Sequence, residues 1–194
     1  MPNYNGVWSL STQYQYAATW QADNRAIIAL FGGGHSNTEN YTTAIDKVVI
    51  STLGNGSDFG NLSVGRSSDP GAFASSTRGI WAGGVTGGGD NDRTDVIDYV
   101  TIASTGNATD FGNLSAIRVT GAGFASPTRG VMTLGYDEDG ANAASNVIEY
   151  ITIGSTGNST DFGDLTAARY NVSGFASATR GVVGGGSGAA TTID

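Results

Sequence analysis

The side chains that could do chemistry are few in this chain, and most of them recur. His35 is the single histidine and cysteine is absent. The usual zinc and copper ligand sets therefore cannot be assembled, and thiolate chemistry is excluded. A serine–histidine–acid relay would have to run through His35, whose glycine-rich surroundings hold nothing like a nucleophile-bearing strand-to-helix turn. Asp58-Phe59-Gly60, Asp110-Phe111-Gly112 and Asp161-Phe162-Gly163 reproduce the magnesium-holding tripeptide of protein kinases, with no His-Arg-Asp loop or partner lysine in place. Present three times, the tripeptide reads as a strand-initiating turn that buries an aromatic ring. The runs Gly32-Gly33-Gly34, Gly83-Gly84 and Gly184-Gly185-Gly186 invite a phosphate-cradle reading, but no Gly-Lys-Ser/Thr follows them.

Carboxylates gather in the loops that follow the glycine runs. Asp90 and Asp92 lie in one and Asp137 and Asp139 in another. Alternate acidic side chains can give oxygen ligands to calcium, so Asp137 and Asp139 are the candidate metal ligands, although no closing glutamate stands at the expected distance. Trp81, Tyr136 and the same four aspartates are the candidate ligand contacts. Glycoside hydrolysis needs two carboxylates about 5–9.5 Å apart in space. Nothing in the linear spacing selects such a pair. The chain is therefore expected not to be an enzyme, with a polysaccharide-active enzyme as the minor alternative and no cofactor beyond a calcium ion.

A long repeat positions these residues. Arg78-Gly79 returns as Arg129-Gly130 and Arg180-Gly181, each time after 51 residues, and Arg25 is an earlier relative. Such a period marks stacked or radial supersecondary units. Each unit reads as four short strands. The first follows the Arg-Gly pair and ends in glycines that allow close approach or positive φ. The second is the β-branched and aromatic run Val96 to Ile102, repeated as Val147 to Ile153 and, with Lys47 in the tyrosine's place, Ile45 to Ile50. A tight Gly-Asn hairpin turn is expected next, at Gly54-Asn55, Gly106-Asn107 and Gly157-Asn158. The third strand opens on Asp-Phe-Gly and runs to Arg66, Arg118 or Arg169. The fourth holds Phe73, Phe124 or Phe175. Arg78, Arg129 and Arg180, with the second arginine register, are expected to tie units together by pairing with Asp58, Asp110 and Asp161.

Four antiparallel strands per unit and no helical period predict an all-β chain, a small β-propeller of about four four-stranded blades. Its units are approximately 25–77, 78–128 and 129–179. The last blade is shared between 180–194 and 1–24, because Gly6 to Ser11 matches a third strand, Tyr16 to Trp20 a fourth, and Thr191 to Asp194 the opening of a second. The whole of 1–194 is then a single domain.

Two phrases carry a family resemblance: Ile97-Asp98-Tyr99-Val100-Thr101-Ile102 leading into Asp110-Phe111-Gly112, and Phe175-Ala176-Ser177-Ala178-Thr179-Arg180-Gly181 leading into Gly184-Gly185-Gly186. They resemble the kelch-like repeats of bacteriophage virion proteins, above all those of marine and cyanobacterial phages. The resemblance implies a tail- or appendage-associated propeller of structural or host-recognition use, with copies of itself, other virion proteins and a host-surface glycan as partners. It transfers no catalytic residue.

Charge is in keeping with that expectation. The net charge is −8 and Lys47 is the sole lysine, so no basic patch exists for nucleic acid. The charged fraction is 13%, about half the usual ~25%, which leaves a surface of Ser, Thr, Asn and Gly. The opening residues show no signal-peptide pattern, and the longest apolar stretch, Ala26 to Phe31, is too short to span a membrane. An outward-looking surface without an export signal fits a virion released by lysis. A self-assembling fibre or decoration protein, completed by a strand from its neighbour, is the alternative.

Overall fold

A computed structural model describes residues 28–36, 41–67, 70–87, 92–137, 143–177, 179–187 and 193. The described chain is all-β and antiparallel, without a helix. The expected strands at Gly6 to Ser11 and Tyr16 to Trp20, and Asp90 and Asp139, lie outside the described residues.

The strands form four successive sheets. β1 (Ile28–Gly32), β2 (Ala44–Val49) and β3 (Ser57–Asn61) make the first. β4 (Gly71–Ala74), β5 (Arg78–Ala82), β6 (Val96–Thr101) and β7 (Thr109–Asn113) make the second, paired in that order. The third joins β8 (Val119–Ala125), β9 (Arg129–Asp137), β11 (Val147–Thr152) and β12 (Thr160–Asp164), with the short β10 (Ala143–Ala144) on the end of β9. The fourth pairs β13 (Ser173–Ala176) with β14 (Gly181–Gly184), beyond which Ile193 bridges to Gly184.

The sheets cut the repeat at a different point from units 25–77, 78–128 and 129–179. β4 pairs with β5 rather than with β3, and β8 with β9 and β13 with β14, so the second, third and fourth sheets open on the strand expected to close a unit. A tight connection explains the phase: Ser75 N–H donates to the Arg78 carbonyl at 2.9 Å, and Ser75 Oγ accepts the Arg78 N–H at 3.1 Å. Ser126 and Ser177 make the same turn with Arg129 and Arg180. The link from β3 to β4 is longer and carries Arg66.

Asp-Phe-Gly turns out to be a bulge in the outer strand. Ile97 pairs with Gly112 and Asp98 with Asp110, so Phe111 is left without a cross-strand partner. The same shift occurs at Ile45/Asp46 and Ile148/Glu149. Asp110 Oδ1 accepts the Gly112 N–H at 3.1 Å, and Asp161 Oδ1 the Gly163 N–H at 3.0 Å, which holds the bulge closed. The extra residue bends the strand. Phe59 and Phe111 are buried in consequence, whereas Phe162 is 52% exposed.

Adjacent sheets meet through the connection after each second strand. Gly106 and Ala108 N–H donate to the Phe59 and Asn61 carbonyls; Gly157 and Ser159 do the same to Phe111 and Asn113. Gly60 and Gly112 sit at φ 152° and 147° beneath this backbone, where a Cβ would strike the carbonyls of Gly106 and Gly157. The tight Gly-Asn hairpin expected here is not found: Gly157 has positive φ but Gly54 and Gly106 do not, and residues 102–108 form a long connection. The asparagine serves instead as an acceptor. Asn107 Oδ1 takes the Asn61 N–H at 3.1 Å, and Asn158 Oδ1 the Asn113 N–H at 3.0 Å.

The principal core lies between the second and third sheets, with Phe73, Ile80, Ile97, Phe111 and Leu114 facing Met132, Leu134, Ile151 and Ile153. Trp81 belongs to the core between the first and second sheets, with Ile45, Phe59, Leu62 and Val100.

Candidate functional site

The repeated arginines divide into two kinds of junction. Arg66 is held by its backbone to the first sheet, through N–H to the Thr42 carbonyl at 3.2 Å. Its side chain crosses to the second: Nη1 donates to the carbonyls of Gly83 (2.8 Å) and Val96 (3.2 Å), and Nη2 to Asp98 Oδ2 (2.7 Å). Both partners are fully buried. Burial lowers the Arg66 guanidinium from its ordinary value, and the charge and hydrogen bond of Asp98 oppose that shift. Asp98 also accepts from Ser63 N–H and Oγ. At the next junction Glu149 is buried and accepts from Ser115 and Ser159. Arg169 repeats the crossing, its Nη2 reaching the Val183 carbonyl at 3.4 Å.

The expected acid partners are therefore corrected. Asp58, Asp110 and Asp161 are exposed on outer strands, and Asp110 and Asp161 cap their own bulges. The acid that Arg66 meets is Asp98, on the second strand of the next sheet. The alternation of Ile97-Asp98-Tyr99-Val100 contained the signal: an acid between buried apolar residues needs a buried cation.

The Arg78 register works through aromatic rings. The Arg78 guanidinium lies 4.4 Å from the Tyr99 ring centre, and Tyr99 meets Phe111 edge-on at 5.8 Å. Arg129, Tyr150 and Phe162 repeat the stack at 4.5 Å and 6.1 Å. Arg78 ties sheets together, since its Nη1 donates to the Ile153 carbonyl of the third sheet at 2.6 Å. Arg129 and Arg180 are exposed.

Of the candidate contact residues, Trp81 is corrected from a surface position to the core. It is 4% exposed and packs on Gly32, where a Cβ would lie 2.8 Å from its ring. Tyr136 is half-buried at the end of β9, its ring 5.1 Å from that of Tyr170. Asp92 is exposed, and its carbonyl accepts the Thr86 N–H. Asp137 closes β9 by its backbone. His35, also exposed, meets the Tyr41 ring edge-on at 5.7 Å. These residues lie on or beside the loops that follow β1, β5 and β9, and the arginine connections lace into the loops after first strands: Ser67 N–H to Val85, Tyr170 N–H to Ser187. Among the described residues no group of three or more His, Cys, Asp or Glu could hold a metal. No described helix is long and apolar enough to cross a membrane.

A cleft of about 420 Å³ opens between the third and fourth sheets, with Phe124, Val131, Ile148, Phe162 and Leu165 on one wall and Val183 on the other. Arg129 and Arg180 stand at it with Ser126, Ser177 and Thr179. Chemically it offers apolar surface and guanidinium donors, which suits binding an apolar group flanked by acceptors.

No family model matches the chain, and no curated protein matches it. Among the 97 solved chains that do match is the structure of YjhT, at a TM-score of 0.61 and 14% identity over 78% of this chain. The match covers 48% of that chain, so this protein spans about half its length. At that identity the likeness shows the fold alone, an all-β succession of sheets of the β-propeller-like kind.

Proposed function

We propose that the chain is a non-enzymatic structural and recognition unit of a bacteriophage particle: a kelch-like propeller of about four blades, mounted on a tail, fibre or capsid, whose loop end meets host-surface glycan. The observation that carries this reading is the division of labour along the repeat. Buried polar side chains such as Arg66, Asp98 and Glu149 are engaged between sheets, while exposed or half-buried Tyr136, Asp92 and His35 sit on or beside loops that differ from unit to unit. A rigid scaffold with variable loops is the usual setting for recognition. Many copies on one particle would raise weak single-site affinity by avidity.

The test is retention on an array of host-derived glycans, using Tyr136→Ala and the double variant Asp137→Asn/Asp139→Asn, with and without calcium. Lost retention at unchanged thermal midpoint supports the reading. Cleavage of a polysaccharide, abolished when Asp90, Asp92, Asp137 and Asp139 are replaced, would replace it with an enzymatic one.

A further inference from the structure

We propose that Asn55 is a site of spontaneous deamidation, converted to aspartate and isoaspartate with water as the co-reactant, while Asn107 and Asn158 at the same place in later repeats are protected. The inference stands apart from glycan recognition.

The connection after each second strand carries the same pair, as Gly54-Asn55, Gly106-Asn107 and Gly157-Asn158. In the later two copies both groups that would have to react are engaged. Asn107 Oδ1 accepts the Asn61 N–H at 3.1 Å and Asn158 Oδ1 the Asn113 N–H at 3.0 Å, which fixes each side-chain amide on the preceding sheet. The next main-chain nitrogens are fixed as well: Ala108 N–H donates to the Asn61 carbonyl at 2.7 Å, and Ser159 N–H to the Asn113 carbonyl at 2.9 Å. Neither nitrogen can swing onto the amide carbon without breaking the contact between sheets.

The first copy differs in residue type and in setting. Gly56 follows Asn55, where Ala108 and Ser159 follow the others. Residues 51–58 are exposed throughout. Among the described residues neither the Asn55 amide nor the Gly56 N–H has a hydrogen-bond partner. A Cβ on Gly56 would meet only Val48 Cγ1 at 3.8 Å and the Lys47 carbonyl oxygen at 3.9 Å, and one on Gly54 would meet nothing within 4 Å. Glycine on both sides gives the main chain the freedom to fold the nitrogen back.

The Gly56 nitrogen attacks Asn55 Cγ. A bond forms between them, the Cγ–Nδ2 bond breaks, and Nδ2 leaves as ammonia with the proton that Gly56 gave up. Water then opens the cyclic imide. Cleavage at Cγ gives aspartate, and cleavage at the main-chain carbonyl gives isoaspartate, which routes the backbone through an extra methylene. Either product adds a negative charge to a chain already at −8.

The experiment is incubation of the full chain in mildly alkaline buffer, with and without urea, followed by trypsin digestion and fragment-ion mass spectrometry. Peptides 48–66, 94–118 and 130–169 carry the three sites, and Asn5-Gly6, the other Asn-Gly pair, falls on a separate peptide outside the described residues. In native buffer Asn55 should deamidate about tenfold or more faster than Asn107 and Asn158, and Gly56→Ala, for which there is room, should slow it by a similar factor. In urea Asn107 and Asn158 should accelerate while Asn55 changes little. A native rate for Asn55 no higher than that of Asn107, or one about tenfold below its own rate in urea, overturns the assignment. Unchanged rates for Asn107 and Asn158 in urea overturn their protection by the sheet junctions. None of these outcomes bears on glycan retention.

Discussion

Removing the carboxylate at Asp98 should be among the most damaging single changes in the described chain. Asp98 is fully buried and meets Arg66 Nη2 at 2.7 Å, with both side chains at 0% exposure. Asp98→Ala leaves the guanidinium with carbonyl acceptors at Gly83 and Val96 but no counter-charge. Breaking one side of a buried pair costs about 3–5 kcal/mol, because the surviving charge cannot return to water. That is a large share of a total folding stability of roughly 5–15 kcal/mol. For a chain of this length each kcal/mol moves the midpoint by about 2–4 °C, so the melting temperature should fall by about 6–20 °C. Arg66→Met combined with Asp98→Leu should cost far less than the two single changes summed, since neither charge remains to be orphaned. Urea unfolding can be followed by tryptophan fluorescence, because Trp81 is buried at this same junction. A loss below about 1 kcal/mol for Asp98→Ala, or a double variant as costly as the sum of its singles, would refute the account of Arg66 as a charged clamp between sheets.

Three further comparisons use positions that repeat. Gly112→Ala should destabilise more than Gly163→Ala in thermal melts: both sit at positive φ, a strain of about 1–3 kcal/mol, but only Gly112 has the Gly157 carbonyl over it and Gly163 faces open space. Phe111→Ala should cost about 3–5 kcal/mol and Phe162→Ala less than half of that, in keeping with their burial. Asn107→Ala and Asn158→Ala should each cost about 1 kcal/mol by removing the acceptor for an N–H of the preceding sheet, read by denaturant midpoint.

Much of the architecture was legible because local chemistry repeats. The β-branched run Val96 to Ile102 marked β6, and the glycine runs at 32–34, 83–84 and 184–186 do reach positive φ, as at Gly33, Gly84 and Gly186. What the sequence hid depends on contacts far apart in the chain. The partner of Arg66 lies 32 residues on, across a sheet junction. Asp58, Asp110 and Asp161 were nearer and more regular, so charge patterning alone favoured them. Trp81, a candidate ligand contact by residue type, is instead a core residue. The space that buries it is made by Gly32, one unit earlier. The Asp-Phe-Gly bulge was missed because a strand start and a bulge share the same residues, and the cross-strand register alone distinguishes them.

Identical sequence with unequal burial is the informative contrast in this chain. Asp110-Phe111-Gly112 and Asp161-Phe162-Gly163 are the same tripeptide, yet one phenylalanine is sealed and the other half in water. Burial is thus a property of the next sheet and not of the unit that carries the residue, as expected when stability is a sum of nearest-neighbour interfaces. The third sheet keeps phenylalanine at its bulge and Phe124 on β8, both at the cleft toward the fourth sheet. Phe175 of the fourth sheet is 68% exposed in its turn. The arginine, tyrosine and phenylalanine stack at Arg129, Tyr150 and Phe162 keeps the form it has at Arg78, Tyr99 and Phe111, so the repeat sets the stack and the neighbouring sheet sets how far it is buried.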